Sequence, residues 1–596
     1  MTRPEPTRAR PRHARLDPTR RRRRITALSL LTVLVAGLAL HTGPLRAQLT
    51  DAAWTDREYV SSTLGTRATW CDTGLYRTTA RGQLFAGTVG AGSTGSVSAV
   101  TPLRVTQTGT SVSATPASAT SSGANTYVAP VAASALQSTT STLESSVSFG
   151  SVTAAQNNQY GSAASTGLVV GGSGAVSNAG VLNAATQAAG SGLPDLATVD
   201  VRALVTPTLL TTALGSAAAT DVTGGLRLIP GTVASTTTRD ACISRNTTAR
   251  AYGVSGLRLE AESTSLRAAS TQTTAAATAI QNSLTSTGAV ASTTATNVNT
   301  VFRTRQELLN LLTPGASTGS MSLSVAVNVP AAVAALTTQT LTSGAVQLNL
   351  ATGRMTVDLA ALTNATTGVN GLPPNTEALT AAVMSAASTA VGSLLPAYQT
   401  SVLNAISTAL NTSVATITVN TTISLLGLLL SEPTVITYTG TLNQLRAQAA
   451  GTVGVSVGVN NSCGILTASA CTSVRNSLNS AGGQADLKAA VANALTSTIY
   501  GTSTTAPVPP QGQIVAAVNT AQTTLQTLLA NLPNAVSAQV NVQADVTSPA
   551  PRPVVTLDAG ELGVTALRIG SVPAGRTAWL AFGTSAAGPN AYLLAP

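Results

Sequence analysis

Val346-Gln347-Leu348-Asn349-Leu350-Ala351-Thr352-Gly353-Arg354-Met355-Thr356-Val357-Asp358-Leu359 is the stretch from which the fold can be read. Apolar side chains fall at every second position, at Val346, Leu348 and Leu350 and again at Met355, Val357 and Leu359. That period of two is the mark of a half-buried strand. The break at Ala351-Thr352-Gly353-Arg354 contains the glycine that a tight reversal needs, so the spacing predicts a hairpin with Gly353 in its turn.

Helix-period segments lie on both sides. Downstream, Gly368-Val369-Asn370-Gly371-Leu372-Pro373-Pro374-Asn375-Thr376-Glu377-Ala378-Leu379 reads as an extended loop fixed by its two prolines. Asn375 or Thr376 is expected to cap the next helix, with Glu377 in the first turn, where the helix dipole favours a carboxylate. Leu379, Val383, Ala387, Val391 and Leu394 share one face of that helix, and Pro396 is expected to interrupt it. Tyr398, Val402, Ile406 and Leu410 continue the apolar stripe, and a strand follows at Ala415–Val419. The same order recurs at 514–546, where Ile514, Val518, Ala521, Leu525 and Leu528 precede an alternating run from Val536 to Val546. A third unit spans 301–329, with Val301–Leu312 helical and Met321–Val329 alternating. Ser265–Thr300 reads as a polar helical stretch and Cys242–Glu260 as strand. The expected class is α+β: β-rich extracellular domains with amphipathic helix–strand units, rich in Ser, Thr, Gly and Ala.

The word extracellular rests on the other end of the chain. Arg20–Arg24 are followed by uncharged, mostly apolar Ile25–Leu40, then by His41-Thr42-Gly43-Pro44-Leu45-Arg46-Ala47. A basic region, an apolar core and a small residue make a secretory leader. As a helix the apolar run spans about 24 Å, short of a bilayer core of about 30 Å. Cleavage near Ala47 is therefore expected, with an uncleaved N-terminal membrane anchor as the alternative. The division read from composition is 1–47 basic extension and signal peptide, 48–230 Ser/Thr/Gly/Ala-rich strands, 231–502 a central α+β region with hairpin and helices, and 511–596 a C-terminal helix–strand unit with terminal strands. A Ser- and Pro-containing linker at 503–510 precedes the last region.

Eleven basic and two acidic residues lie in 1–47, so that segment holds +9 of the chain's +11 and the remainder is close to neutral at +2. The apparent case for nucleic-acid binding disappears with the leader. Charged residues make up 9% of the chain against a usual share of about 25%. Lys488 is the one lysine, and both histidines, His13 and His41, precede Ala47.

Four cysteines, Cys71, Cys242, Cys463 and Cys471, follow the leader. An even number in an exported chain predicts two disulfides. The short spacing favours Cys463–Cys471, leaving Cys71–Cys242. Four buried thiols are the alternative.

Arg354-Met355-Thr356-Val357-Asp358-Leu359 and Gly368–Leu379, behind an arginine-rich leader and Ala52-Ala53-Trp54-Thr55-Asp56, resemble the actinobacterial choice-of-anchor G family. The resemblance implies an exported envelope protein with a surface location and no established chemistry. A C-terminal sorting signal is not read at 591–596, so covalent wall attachment is not expected.

Motifs that suggest chemistry lack the partners it requires. Gly454-Val455-Ser456-Val457-Gly458 and Gly315-Ala316-Ser317-Thr318-Gly319 fit the nucleophile-elbow pattern, but no histidine follows to take the serine proton. Gly90-Ala91-Gly92-Ser93-Thr94-Gly95 fits a dinucleotide fingerprint, but strand-like Ser96–Val100 follows where a helix is needed. Asp545, Asp558 and Glu561 are the carboxylates that paired acid–base chemistry would use. No catalytic residue, cofactor or metal site is expected. The function expected is a structural or adhesive protein whose partners are envelope or extracellular surface ligands. A secreted carbohydrate-active or peptidoglycan-modifying enzyme is the alternative.

Export predicts a mature N-terminus close to Ala47. Sequencing the N-terminus of the protein recovered outside the cell checks this, and a chain starting at Met1 or Thr2 would establish the uncleaved anchor.

Overall fold

The computed structural model describes residues 73–593 apart from 91, 94–99, 133–135, 137–142, 144–145, 151–156, 189–192, 243–247, 309–314, 426–429, 448–455, 462–467, 501–508 and 574–576. The hairpin forms where the alternation puts it. Val346–Asn349 pairs antiparallel with Arg354–Asp358, and Gly353 adopts φ +73° in the turn. Val346, Leu348, Met355 and Val357 are fully buried on its inner face.

Every described strand pair is antiparallel, and helices pack over the sheets, so the class is α+β. Sheet I has nine strands. Its main path runs Thr376–Glu377, Val536–Val542, Leu562–Ser571, Trp579–Ala587, Tyr76–Val89, Leu103–Thr108 and Ser111–Thr115. Sheet II has six, from Thr248–Val254 through Val233–Asp240, Leu168–Gly174, Asn158–Ala163 and Thr126–Val128 to Thr120–Gly123. Sheet III has seven strands and contains the hairpin. Sheet IV has four, in the order Gly315–Val325, Val414–Leu425, Leu430–Thr441 and Ser456–Asn461. The Cys71–Pro596 portion is one unit. Its sheets run across the boundaries read from composition at 230 and 511: Gly225–Pro230 pairs with Leu257–Glu262, and Tyr76–Val89 pairs with Trp579–Ala587.

Sheets I and II meet closely because glycine lines the contact. A Cβ on Gly82 would lie 2.2 Å from Gly172 O, and one on Gly171 would lie 2.3 Å from Ala586 O and 2.4 Å from Arg81 O. Stacked sheets usually sit about 10 Å apart because side chains separate them. Here backbone meets backbone. Thr237 Oγ1 donates across the interface to Ser585 O at 3.1 Å, both residues fully buried. The other face of sheet I carries Phe85 and Phe582, whose rings lie 5.2 Å apart, into the main core.

Three long helices fill that core. Thr264–Ser283, Ala381–Thr412 and Pro509–Ala535 present apolar stripes to one another and to the sheets. The expected stripe Ile514, Val518, Ala521, Leu525 and Leu528 is fully buried. Ala381–Thr412 is long and apolar enough to cross a membrane, but Val391, Leu395, Tyr398, Val402 and Ile406 bury that stripe inside the protein.

Four expectations are corrected. Pro396 does not interrupt its helix, which runs unbroken through it. A helix-interior proline costs about 3 kcal/mol, and the buried stripe on both sides outweighs it. Asn375 and Thr376 do not cap that helix. Asn375 turns the chain with φ +58°, Thr376–Glu377 joins sheet I, and Thr380 caps instead, accepting from Val383 N at 3.2 Å. The alternation at 321–329 ends early: the strand stops at Val325, and Asn328 caps a helix over Val329–Thr338. The polar stretch 265–300 is two helices, Thr264–Ser283 and Ala289–Leu308, broken near Gly288. Residues 309–312 and the linker 503–508 lie outside the described residues.

Gly171→Ala should force the two sheets apart and lower stability by about 3 kcal/mol or more. Gly353→Val should cost at least about 1 kcal/mol through its positive φ and through a Cβ 2.5 Å from Ser263 O. Gly256→Ala, whose Cβ would meet nothing within 4 Å, should leave the urea midpoint almost unchanged.

Candidate functional site

The loop 368–379 builds a dense polar constellation. Tyr252 donates its hydroxyl proton to Val369 O and accepts from Leu372 N, both at 2.9 Å. Burial pushes its phenol up to about 12. Asn370 Oδ1 accepts from Val254 N at 2.8 Å while its Nδ2 donates to Val254 O at 3.0 Å. Asn375 Nδ2 donates to Pro549 O and Val546 O, and its Oδ1 accepts from Gln543 N at 2.8 Å. Glu377 accepts from Ser537 Oγ at 2.6 Å and Ala538 N at 2.7 Å. The loop thus fastens an edge of sheet II to an edge of sheet I. Its amides are committed to backbone partners, as buried polar groups must be.

The expected carboxylates do not converge on a cleft. Asp545 pairs with Arg250 at 2.7 Å. Asp558 pairs with Arg104 at 2.6 Å. Glu561, with no side-chain exposure, lies 3.4 Å from Arg81 Nη1 and 3.6 Å from Arg104 Nη1, and its Oε2 accepts from Asp558 N at 2.8 Å. These groups tie the 556–561 segment to the Tyr76–Val89 and Leu103–Thr108 strands. The hydrogen bond from Arg104 holds the Asp558 carboxyl below the usual range. Burial lowers the Arg81 guanidinium against the pull of Glu561. Among the described residues, no three His, Cys, Asp or Glu side chains form a metal-binding group.

Other sequence candidates fall as follows. Cys242 and Cys471 are each disulfide-bonded, while Cys71 and Cys463 lie outside the described residues. Ser456 and Ser317 sit in strands of sheet IV, so neither occupies a strand-to-helix elbow. Gly92–Ser93 turns back to pair with the preceding strand, which is unlike a phosphate loop. Lys488 is half-buried on the helix Ala481–Leu495.

Composition gave no hint of an open depression at one end of sheet II. It has a volume of about 640 Å³ and is walled by Val128, Val176, Val181 and Leu182, with Asn158 among its lining residues. Asn158 Nδ2 donates to Val176 O and Asn178 Oδ1, both at 3.1 Å, whereas its buried Oδ1 has no partner. Val181 is 64% exposed on the rim. The surface is neutral, apolar and amide-edged, suited to holding a small uncharged group. No spacing rule marks it, because the residues come from three separate strands and turns.

Residues 80–588 match the domain of unknown function DUF8394. The chain belongs to that family. The matched region starts in the Tyr76–Val89 strand and ends just past its partner Trp579–Ala587. No curated protein and no solved structure matches the chain.

Glu561→Gln would leave Arg81 buried without its nearest counter-charge and should cost about 3 kcal/mol. Because the Asp558 pKa is depressed on folding, its contribution is present above the unfolded value of about 3.9 and fades as pH falls through the folded one. Urea midpoints should therefore drop on acidification below about pH 4, and Asp558→Asn should flatten that drop.

Proposed function

We propose that this chain is an exported structural or adhesive protein of the cell envelope, without catalytic activity. The observation that carries the reading is the state of its acids. The carboxylates that acid–base chemistry would draw on are held by arginines, and Glu561 is fully enclosed. General acid–base catalysis requires a group free to take up and release a proton near substrate. An acid fixed in an ion pair strengthens the scaffold instead. The resemblance to choice-of-anchor G proteins and the basic, apolar leader support an envelope location. The neutral surface, low in charge and rich in hydroxyls and amides, suits contact with uncharged polymers.

Purified protein assayed against mixed glycans, peptidoglycan and ester substrates should show no turnover, and fractionation should find it outside the cytoplasm. Turnover that disappears in Asp545→Asn, whose carboxylate is partly exposed, would overturn the reading in favour of a carboxylate hydrolase.

A further inference from the structure

Sheets I and II end together on one side, at Ser111–Thr115 in the first and Thr120–Gly123 in the second. Residues 116–119 alone join the two strands, so both edges lie at one corner of the sandwich. Val112, Ala114, Ala119 and Tyr127 pack there on the shared cluster of Leu103, Val105 and Ala163. Among the described residues, neither edge strand has a hydrogen-bonded strand on its outer side.

The register identifies the unused backbone groups. Gly109-Thr110 is a two-residue hairpin loop, so the flanking pair Thr108–Ser111 is a hydrogen-bonded one. Alternation then makes Thr106–Ser113 and Arg104–Thr115 hydrogen-bonded as well. The N–H and C=O groups of Val112 and Ala114 therefore point away from the sheet. Ser111, Ser113, Thr115 and all four residues of Thr120–Gly123 are exposed.

Natural edges are blunted by lysine, by inward charge, by proline or by a covering loop. The far edges of these same sheets follow that rule. Thr376–Glu377 is two residues long, and Thr248–Val254 carries Arg250 and lies under the 368–372 loop. The near edges lack the charge: from Val105 to Leu143 there is no charged residue. Pro116 falls between the strands, and a register shift between Ser121 and Gly123 interrupts the second edge while Ser111–Thr115 stays regular.

We infer that this double edge joins two copies of the chain, each extending both sheets of the other. A lone peptide strand could satisfy one edge only. A partner that satisfies both must present two stacked edges at the same spacing, which a second copy does. A two-fold axis through the corner sets Ser111–Thr115 antiparallel to itself and Thr120–Gly123 likewise, as a closed symmetric contact requires. With no charge on either strand, self-pairing meets no like-charge repulsion.

Sedimentation of the full chain over a range of concentrations should show its mass doubling reversibly. Ser113→Lys and Ser121→Lys place like charges across the axis and should each weaken association about fivefold or more. Both sites are exposed, so the circular dichroism and melting of the variants should match the parent. If Ser113→Lys perturbs folding, Ser121→Lys on the other sheet supplies the reading. Thr389→Lys, on the exposed face of a distant helix, should leave association unchanged. A monomer at every concentration, or association that a folded lysine variant leaves intact, would overturn the inference.

Discussion

The pairing of Tyr76–Val89 with Trp579–Ala587 is the constraint on which the rest of the molecule depends. It sets the first and last long strands among the described residues side by side in the middle of sheet I, so the chain between them forms one closed excursion. Bringing together residues so far apart is entropically costly, though the cost grows only logarithmically with loop length. Phe85 against Phe582 and the Arg81–Glu561 pair repeat the connection with side chains. Sheet II then lies against these same strands through Gly82, Gly171 and Gly172. A methyl group at that contact would collide with an opposing carbonyl, so composition and topology are coupled: the sandwich closes because its inner strands are poor in side chains.

This explains which parts of the fold were legible in the sequence. Alternation with one buried face announces itself, and the 346–359 hairpin and the stripe from Ile514 to Leu528 appear where their periods put them. Val536–Val542 also alternates in sequence, but both of its faces are buried. Its polar side, with Ser537, Gln539 and Asn541, is covered by the 372–379 and 549–552 segments, which bond to those side chains. Local pattern reveals a strand's period and not what lies over its polar face. The same limit accounts for Glu377: a carboxylate just before a helical stripe satisfies the capping pattern, yet a neighbouring strand offers Ser537 Oγ and Ala538 N and takes it. Tertiary partners displaced a local one of similar strength.

The candidate carboxylates were legible in the sequence only as residue types, without their partners. Lack of histidine after His41 is a sequence fact and removes the usual base of serine and cysteine triads from the rest of the chain. That Asp545, Asp558 and Glu561 pair with arginines could not be read, because Arg81 and Glu561, for example, are separated by almost the whole chain. The depression near Asn158 and Val181 was equally hidden, since its walls meet only after the strands and turns of sheet II assemble.

Scarcity of charge links these features. A chain with one lysine has few means of protecting its strand edges. Its arginines are largely occupied within the fold: Arg258 with Asp195, Arg227 with Glu262, Arg305 with Asp486. A guanidinium suits such duty, because its planar fork binds carboxylates in fixed geometry and is weakly hydrated. The arginines therefore stabilise contacts between distant segments rather than guard the periphery. At the outer strands Ser111–Thr115 and Thr120–Gly123, what remains is hydroxyl, small apolar groups and bare backbone. Such a surface repels little, so the same economy of charge that permits close sheet packing inside leaves the outer strands open to pairing.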